Sequence, residues 1–346
     1  MLSKQRVMAA ARWKEVDQIP IFANKSPMGP KLIGRKLNRA FFLDDAAMTS
    51  SEMALLDLVD DDVVCLNLAP ALQDVLGARL VWPDNDHPQF GAPTISSLAD
   101  VQELADGLEP SRVIQNEFVQ ALLATTRAVK KIIGETVALE VNCYGVFNLA
   151  ARLMGLERLM GATLRQKALV HRLCDLIAGT QVGLAPHFVD AGADILSIGD
   201  GMSSPACISP RVYGEMALPY LTQTIQGFRR TGAITLYHPC GGEYPIIDQV
   251  GQTGADILYF SELVDLDVAQ KIFARRHAVA GGVDPVHSLF MGDERIIDAN
   301  IKQIIKKLKY KSGVIIQPGC GLSPNIPIIN LQTMVKSTRK YSKNMQ

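Results

Sequence analysis

Short, almost unbroken runs of apolar and β-branched residues recur along this chain, each followed by a longer amphipathic stretch. The runs include VVCLNL, DILSI, ITLY, DILYF and GVIIQ. They place strands at Gln18–Ala23, Asp62–Leu68, Thr136–Asn142, Ala193–Ile198, Ala233–Tyr237, Ala255–Phe260, His277–Ala280 and Gly313–Gln317. A strand without polar alternation is buried on both faces, as in a parallel sheet covered by helices. Ser111–Ile133, Leu156–Asp190, Pro210–Thr231, Asp265–Arg275, Asp293–Lys309 and Pro324–Tyr341 read as those helices. Such an alternation predicts an α/β chain folded as a (β/α)8 TIM barrel. An open doubly wound sheet has the same periodicity and stands as the alternative. Residues 1–346 read as a single barrel domain with an N-terminal helix, because no linker or alignable repeat divides them. Pro27–Leu43 and Gly77–Ala99 read as insertions or lids around the barrel entrance.

Charge narrows the partners. Lys+Arg and Asp+Glu are both 35, so no net field gathers nucleic acid or an anionic membrane. The cysteines, Cys65, Cys143, Cys174, Cys207, Cys240 and Cys320, are scattered rather than arranged as a disulfide framework, which points to reduced thiols. No signal-peptide core and no membrane-length apolar run is evident, so a soluble, cytoplasmic protein is expected.

A barrel builds its active site at the C-terminal ends of its strands. Asn142, Cys143, Asp200, His238, Cys240, Glu262, Asp284 and Cys320 all fall there. The sharpest group is Tyr237-His238-Pro239-Cys240-Gly241-Gly242 together with Pro318-Gly319-Cys320-Gly321. Zinc prefers thiolate sulfur and imidazole nitrogen. An isolated H-x-C is also what a core histidine beside an inert thiol looks like. The glycines on both segments allow close backbone approach, and the fifth and eighth strands face each other across a barrel. His238, Cys240 and Cys320 are therefore the candidate zinc ligands. Three strong ligands without a fourth describe a catalytic zinc with an exchangeable position.

The other candidates carry less signal. Cys143 and Cys207 are the rival thiols near the mouth, whereas Cys65 and Cys174 read as packing residues. Asp200 either orients His238 or a substrate group, or caps a helix. Glu262 either reaches the zinc or is an outlying carboxylate. The Gly281-Gly282-Val283 run reads as tight barrel packing rather than a phosphate cradle. His171 and His187 read as structural, and His87, His277 and His287 carry no interpretable signal.

With these residues in view, the chain resembles the uroporphyrinogen decarboxylase superfamily, and within it the zinc-dependent corrinoid methyltransferases. The likeness runs through Arg6-Val7 with Ala10-Ala11, Val16-Asp17-Gln18-Ile19-Pro20 and Gly145-Val146-Phe147-Asn148-Leu149-Ala150. It continues through Ile208-Ser209-Pro210, Leu218-Pro219-Tyr220 and Gly281-Gly282-Val283-Asp284-Pro285. It ends in Gly319-Cys320-Gly321, Pro324-Asn325-Ile326-Pro327 and Asn330-Leu331.

The resemblance implies zinc held by His238, Cys240 and Cys320. It further implies methyl transfer from a methylcobamide, carried by a partner corrinoid protein, to a small thiol such as coenzyme M. A demethylase working in the opposite direction, or a decarboxylase-type lyase, is the alternative. The true decarboxylases are similar to one another in an arginine-rich R-Q-x-G-R segment near the first strand. Here that region reads Ile21-Phe22-Ala23-Asn24-Lys25-Ser26-Pro27-Met28. Lys25, Lys31, Arg35 and Lys36 read as a solvated basic face.

Overall fold

The computed structural model describes residues 1–86, 88–343 and 345. Its strands, in chain order, are β1 (Val63–Asn67), β2 (Leu80–Val81), β3 (Gln89–Phe90), β4 (Ala138–Tyr144), β5 (Ile195–Gly199), β6 (Ile234–His238), β7 (Ile257–Tyr259), β8 (Ala278–Val283) and β9 (Val314–Pro318). Seven of them form a parallel sheet in the order β1-β4-β5-β6-β7-β8-β9. Each successive pair is joined through helices, as parallel connections require.

The first expected strand, Gln18–Ala23, forms only the bridge Ile21↔Ile316 against β9. The reason is local. Pro20 has no N–H, and two carboxylates replace β1 as acceptors: Ile21 N–H donates to Asp62 at 2.8 Å and Ala23 N–H to Asp61 at 2.8 Å. Ile316 N–H still donates to the Pro20 carbonyl at 3.0 Å and Phe22 N–H to the Ile316 carbonyl at 3.0 Å. Asp62 N–H reaches the Ile21 carbonyl at 2.9 Å, so this segment closes the sheet into a barrel.

Along each strand alternate residues point inward. Val63, Ala138, Ile195, Ile234 and Ile315 fill the lower interior against Val7, Ala10 and Ala11 of the helix Ser3–Ala11. That helix seals the N-terminal end, and Arg6 ties it to Asp17 and Asp62 at 2.8 and 2.6 Å. The outer core is larger and packs the helices onto the sheet.

Several helices differ from the periodicity. Ser111–Ile133 breaks at Asn116, whose side chain caps Glu117–Ile133 by accepting from Phe118 and Val119. Leu156–Asp190 breaks at Gln166, and the last helix begins at Ile328, because Pro327 stands just before it. Gly77–Ala99 contains the β2–β3 hairpin, tied to the Pro27–Leu43 segment by Trp82 against Phe42 at 5.8 Å.

Lys25 corrects the sequence reading. It is buried, pairs with Asp61 and donates to the Val63 carbonyl at 3.0 Å, so it is no part of a solvated face. No helix among the described residues is long and apolar enough to cross a membrane.

Candidate metal centre

β6 ends in His238, and β9 delivers Cys320 two residues past its last strand residue. Between β6 and its following turn, Cys240, Gly241 and Gly242 all take positive φ, at 52°, 100° and 71°. For a cysteine this is a strained backbone, found mostly where a site requires it. The bend turns the Cys240 thiol back toward Cys320, leaving the sulfurs 3.3 Å apart. Gly319 allows the other approach: a Cβ there would lie 2.4 Å from the Glu262 backbone nitrogen. One ligand atom each from His238, Cys240 and Cys320 lies within 4.8 Å of the others.

The imidazole is held for coordination. His238 Nδ1 sits 2.9 Å from the Tyr259 carbonyl, which fixes the proton on Nδ1, and the ring stacks on Tyr259 at 3.9 Å. Nε2 is then a buried lone pair, and it has no hydrogen-bond partner. An acceptor left in that state costs about 1–3 kcal/mol unless something binds it. Burial alone lowers the imidazole pKa, but the Cys320 sulfur and the Tyr259 carbonyl outweigh it and raise it.

The thiols behave as a coupled pair. Cys240's hydrogen bond holds the Cys320 thiol well below its usual range, against burial and with help from His238. The same bond, then burial, pushes Cys240 up. Two sulfurs this close share one proton unless a cation compensates both charges. Orphaned nitrogen, paired thiols and their reach all fit a soft divalent metal such as zinc.

The remaining candidates fall into place around this centre. Asp200 does not reach the His238 ring. Its carboxylate accepts from Phe147 N–H at 3.0 Å and Asn148 N–H at 2.9 Å, capping the helix Val146–Met154. Burial pushes it up to about 7. Cys143 points away from the mouth, buried against the Ser197 carbonyl and Gln181, and Cys207 is exposed outside the cluster. Glu262 lies beside Gly319 on the same rim, but its carboxylate is not among the three clustered ligands. Asp284 caps the turn after β8 and holds His287. His171 bonds the Tyr220 hydroxyl, His277 the Ala255 carbonyl, and His87 lies outside the described residues.

Glu243 escaped the sequence reading. It is fully buried, and its carboxylate accepts from Ser261 N–H at 3.0 Å and Ser261 Oγ at 2.7 Å. It thereby fastens the loop carrying Cys240 to the loop after β7. Its position directly after Gly241-Gly242 was the available signal.

A cavity of about 530 Å³ opens over the cluster. Its walls include Phe41, Phe42 and Phe90 from the two entrance segments and Leu236 and Tyr259 from the barrel. Deeper in, Glu140 on β4 lines the same cavity. Burial pushes its carboxyl from 4.5 up to about 7. The folded chain therefore keeps this proton where the unfolded chain releases it, so the stabilisation is whole below about pH 4.5 and is lost as pH rises through about 7. Urea titrations of Glu140→Gln are expected to lack this loss. Between about pH 5 and 7 the variant gains on the parent by up to about 1.4 kcal/mol per pH unit. A difference independent of pH would contradict a buried, proton-holding Glu140.

Comparison with known proteins decides the lineage. The uroporphyrinogen decarboxylase (URO-D) family profile matches residues 2–341. The chain belongs to the URO-D family. Within that family it is 23% identical over 343 residues to the methylcobamide:CoM methyltransferase MtaA of Methanosarcina barkeri (strain Fusaro), covering 98% of each chain. It is 24% identical to the uroporphyrinogen decarboxylase of Tolumonas auensis, over 78% of this chain and 76% of that one. Among solved structures, a methyltransferase from Methanosarcina mazei superposes with a TM-score of 0.88 at 20% identity, covering 99% of each. For this URO-D chain that likeness establishes the barrel fold.

Proposed function

We propose that this URO-D member is a zinc-dependent, corrinoid-linked methyltransferase that moves a methyl group from a methylcobamide, carried by a separate corrinoid protein, to a small thiol. The chain is thus a methyltransferase. The observation that carries the reading is the unpartnered, buried Nε2 of His238 facing two thiols 3.3 Å apart. Similarity over 98% of the chain to the methylcobamide:CoM methyltransferase MtaA supports it, whereas the Tolumonas auensis decarboxylase matches 78%. Coenzyme M, named for those relatives, is the reference acceptor.

His238, Cys240 and Cys320 would hold the zinc, which supplies deprotonation of a bound thiol that at neutral pH is otherwise mostly protonated. Tyr259 orients the imidazole, and Glu243 fixes the Cys240 loop. The entrance aromatics keep water from the reacting sulfur. Asp200 ties the β5 end to the helix after β4 through its carboxylate, and to β6 through its backbone N–H, which donates to the His238 carbonyl at 2.9 Å. Glu262, beside Gly319, would occupy the open position until a thiol arrives.

Zinc-edge X-ray absorption tests this. The resting protein is expected to show two sulfurs with nitrogen and oxygen, and three sulfurs once thiol is added. Glu262→Gln should retain one zinc per chain yet alter the resting spectrum and thiol affinity. A spectrum unmoved by thiol rules out sulfur activation at this centre.

A further inference from the structure

Directly beneath the metal centre the barrel interior turns acidic. Cys65 on β1, Glu140 on β4 and Gln317 on β9 occupy inward positions one step below Asn67, Asn142 and the β9 end. Glu52, from the helix Asp45–Val59, joins them on the wall of the same cavity that holds His238, Cys240 and Cys320. Cys65 packs in the buried core, as expected, and also lines this cavity beside Glu140 and Glu52; burial, then both carboxylates, raises its thiol.

All three polar side chains are at least nine-tenths buried, at 5% exposure for Glu52, 2% for Glu140 and 1% for Gln317. Each keeps an oxygen without a hydrogen-bond partner: Glu52 Oε2, Glu140 Oε2 and Gln317 Oε1. Three orphaned acceptors on one cavity wall lack a donor. The nearby ammonium of Lys25 donates to Asp61 and the Val63 carbonyl and acts on Glu52 through its charge, without a hydrogen bond to it. Nor does this wall suit an anion. Arg152, the guanidinium of the lining, is spread over the Phe90 and Tyr144 rings at 4.3 and 4.9 Å and donates to the Pro88 carbonyl.

From this geometry we infer that Glu52, Glu140 and Gln317 form a recognition site for an alkylammonium group, so that the small molecule processed at the metal is cationic at its far end. An ammonium carries three donors and no acceptor, which suits three unpartnered acceptors. Its charge compensates carboxylates that burial otherwise keeps protonated near neutrality, both being raised to about 7. The assignment rests on the zinc–thiol reading only for the reacting end. It narrows the acceptor from thiols in general to aminothiols, and away from a sulfonate such as coenzyme M.

The test uses two-carbon thiols whose far ends are cationic, neutral and anionic. Calorimetric titration of the zinc-loaded protein with cysteamine, 2-mercaptoethanol and 2-mercaptoethanesulfonate should rank them in that order. Cysteamine should bind at least about tenfold more tightly than the sulfonate, the scale of one charge-assisted contact. Saturation-transfer NMR on metal-stripped protein should favour ethylammonium over ethanesulfonate in the same sense. Glu52→Gln and Glu140→Gln should each erase most of the preference while leaving 2-mercaptoethanol affinity within about threefold of the parent. Absence of a charge preference in both experiments, or one that survives both substitutions, overturns the site. If 2-mercaptoethanol then still reaches the zinc, the thiol-activation reading survives alone. If no thiol reaches the zinc but ethylammonium is still preferred, the cation site stands and that reading falls.

Discussion

Replacing Cys240 with alanine is expected to abolish stoichiometric zinc and to cut methyl transfer by about a thousandfold or more, while far-UV circular dichroism stays that of the parent. Cys320→Ala should do the same. The two sulfurs supply the charge that a divalent ion requires, and losing either leaves one thiolate and one imidazole. The fold should not follow the metal. β6 and β9 are buried along their whole length, and the interior below the centre is closed by Val7, Ala10 and Ala11, far from the loop that carries Cys240. Metal content by elemental analysis, read beside the dichroism, separates the two effects. Unfolding of both variants would mark the metal as structural and contradict the catalytic assignment.

Lys25→Met is expected to produce the largest loss of stability, about 3–5 kcal/mol. The ammonium and its partner Asp61 are both essentially inaccessible, and Asp61 also accepts from Ala23 N–H. Removing the cation strands a buried carboxylate that cannot leave without abandoning the segment that closes the barrel. Replacing both partners, as Lys25→Met with Asp61→Asn, should recover part of the loss, because it removes the uncompensated charge. Urea denaturation of the single and double variants measures the difference. Equal stability of Lys25→Met and the parent would mean that the pair contributes nothing.

The barrel was legible because its strands are continuous apolar runs, and continuous runs signal burial on both faces. The same continuity hid which residues point inward. VVCLNL gives no hint that Cys65 faces the cavity, nor does the run ending in Tyr144 reveal that Glu140 faces inward and Cys143 outward. His238, Cys240 and Cys320 stood out because residue chemistry and flanking glycines mark a candidate metal centre independently of facing. Asp200 also falls at a strand end, with capping as one of its two readings, and its carboxylate accepts from the Phe147 and Asn148 amides, a contact between segments distant in sequence. Lys25 misled for a related reason. A lysine among Lys31, Arg35 and Lys36 reads as solvated, and only the fold brings Asp61 against it. The first strand was half right, since side-chain carboxylates took the place of a neighbouring strand.

The most direct test of the central claim is the fate of methylcobalamin, incubated without oxygen with the zinc-loaded protein and a panel of thiols and tetrahydrofolate. The account predicts loss of methylcobalamin matched by an equal amount of methyl thioether, requiring both zinc and a thiol, and no conversion of uroporphyrinogen III. Methylcobalamin left intact with every acceptor, or robust decarboxylation of uroporphyrinogen III, would contradict it.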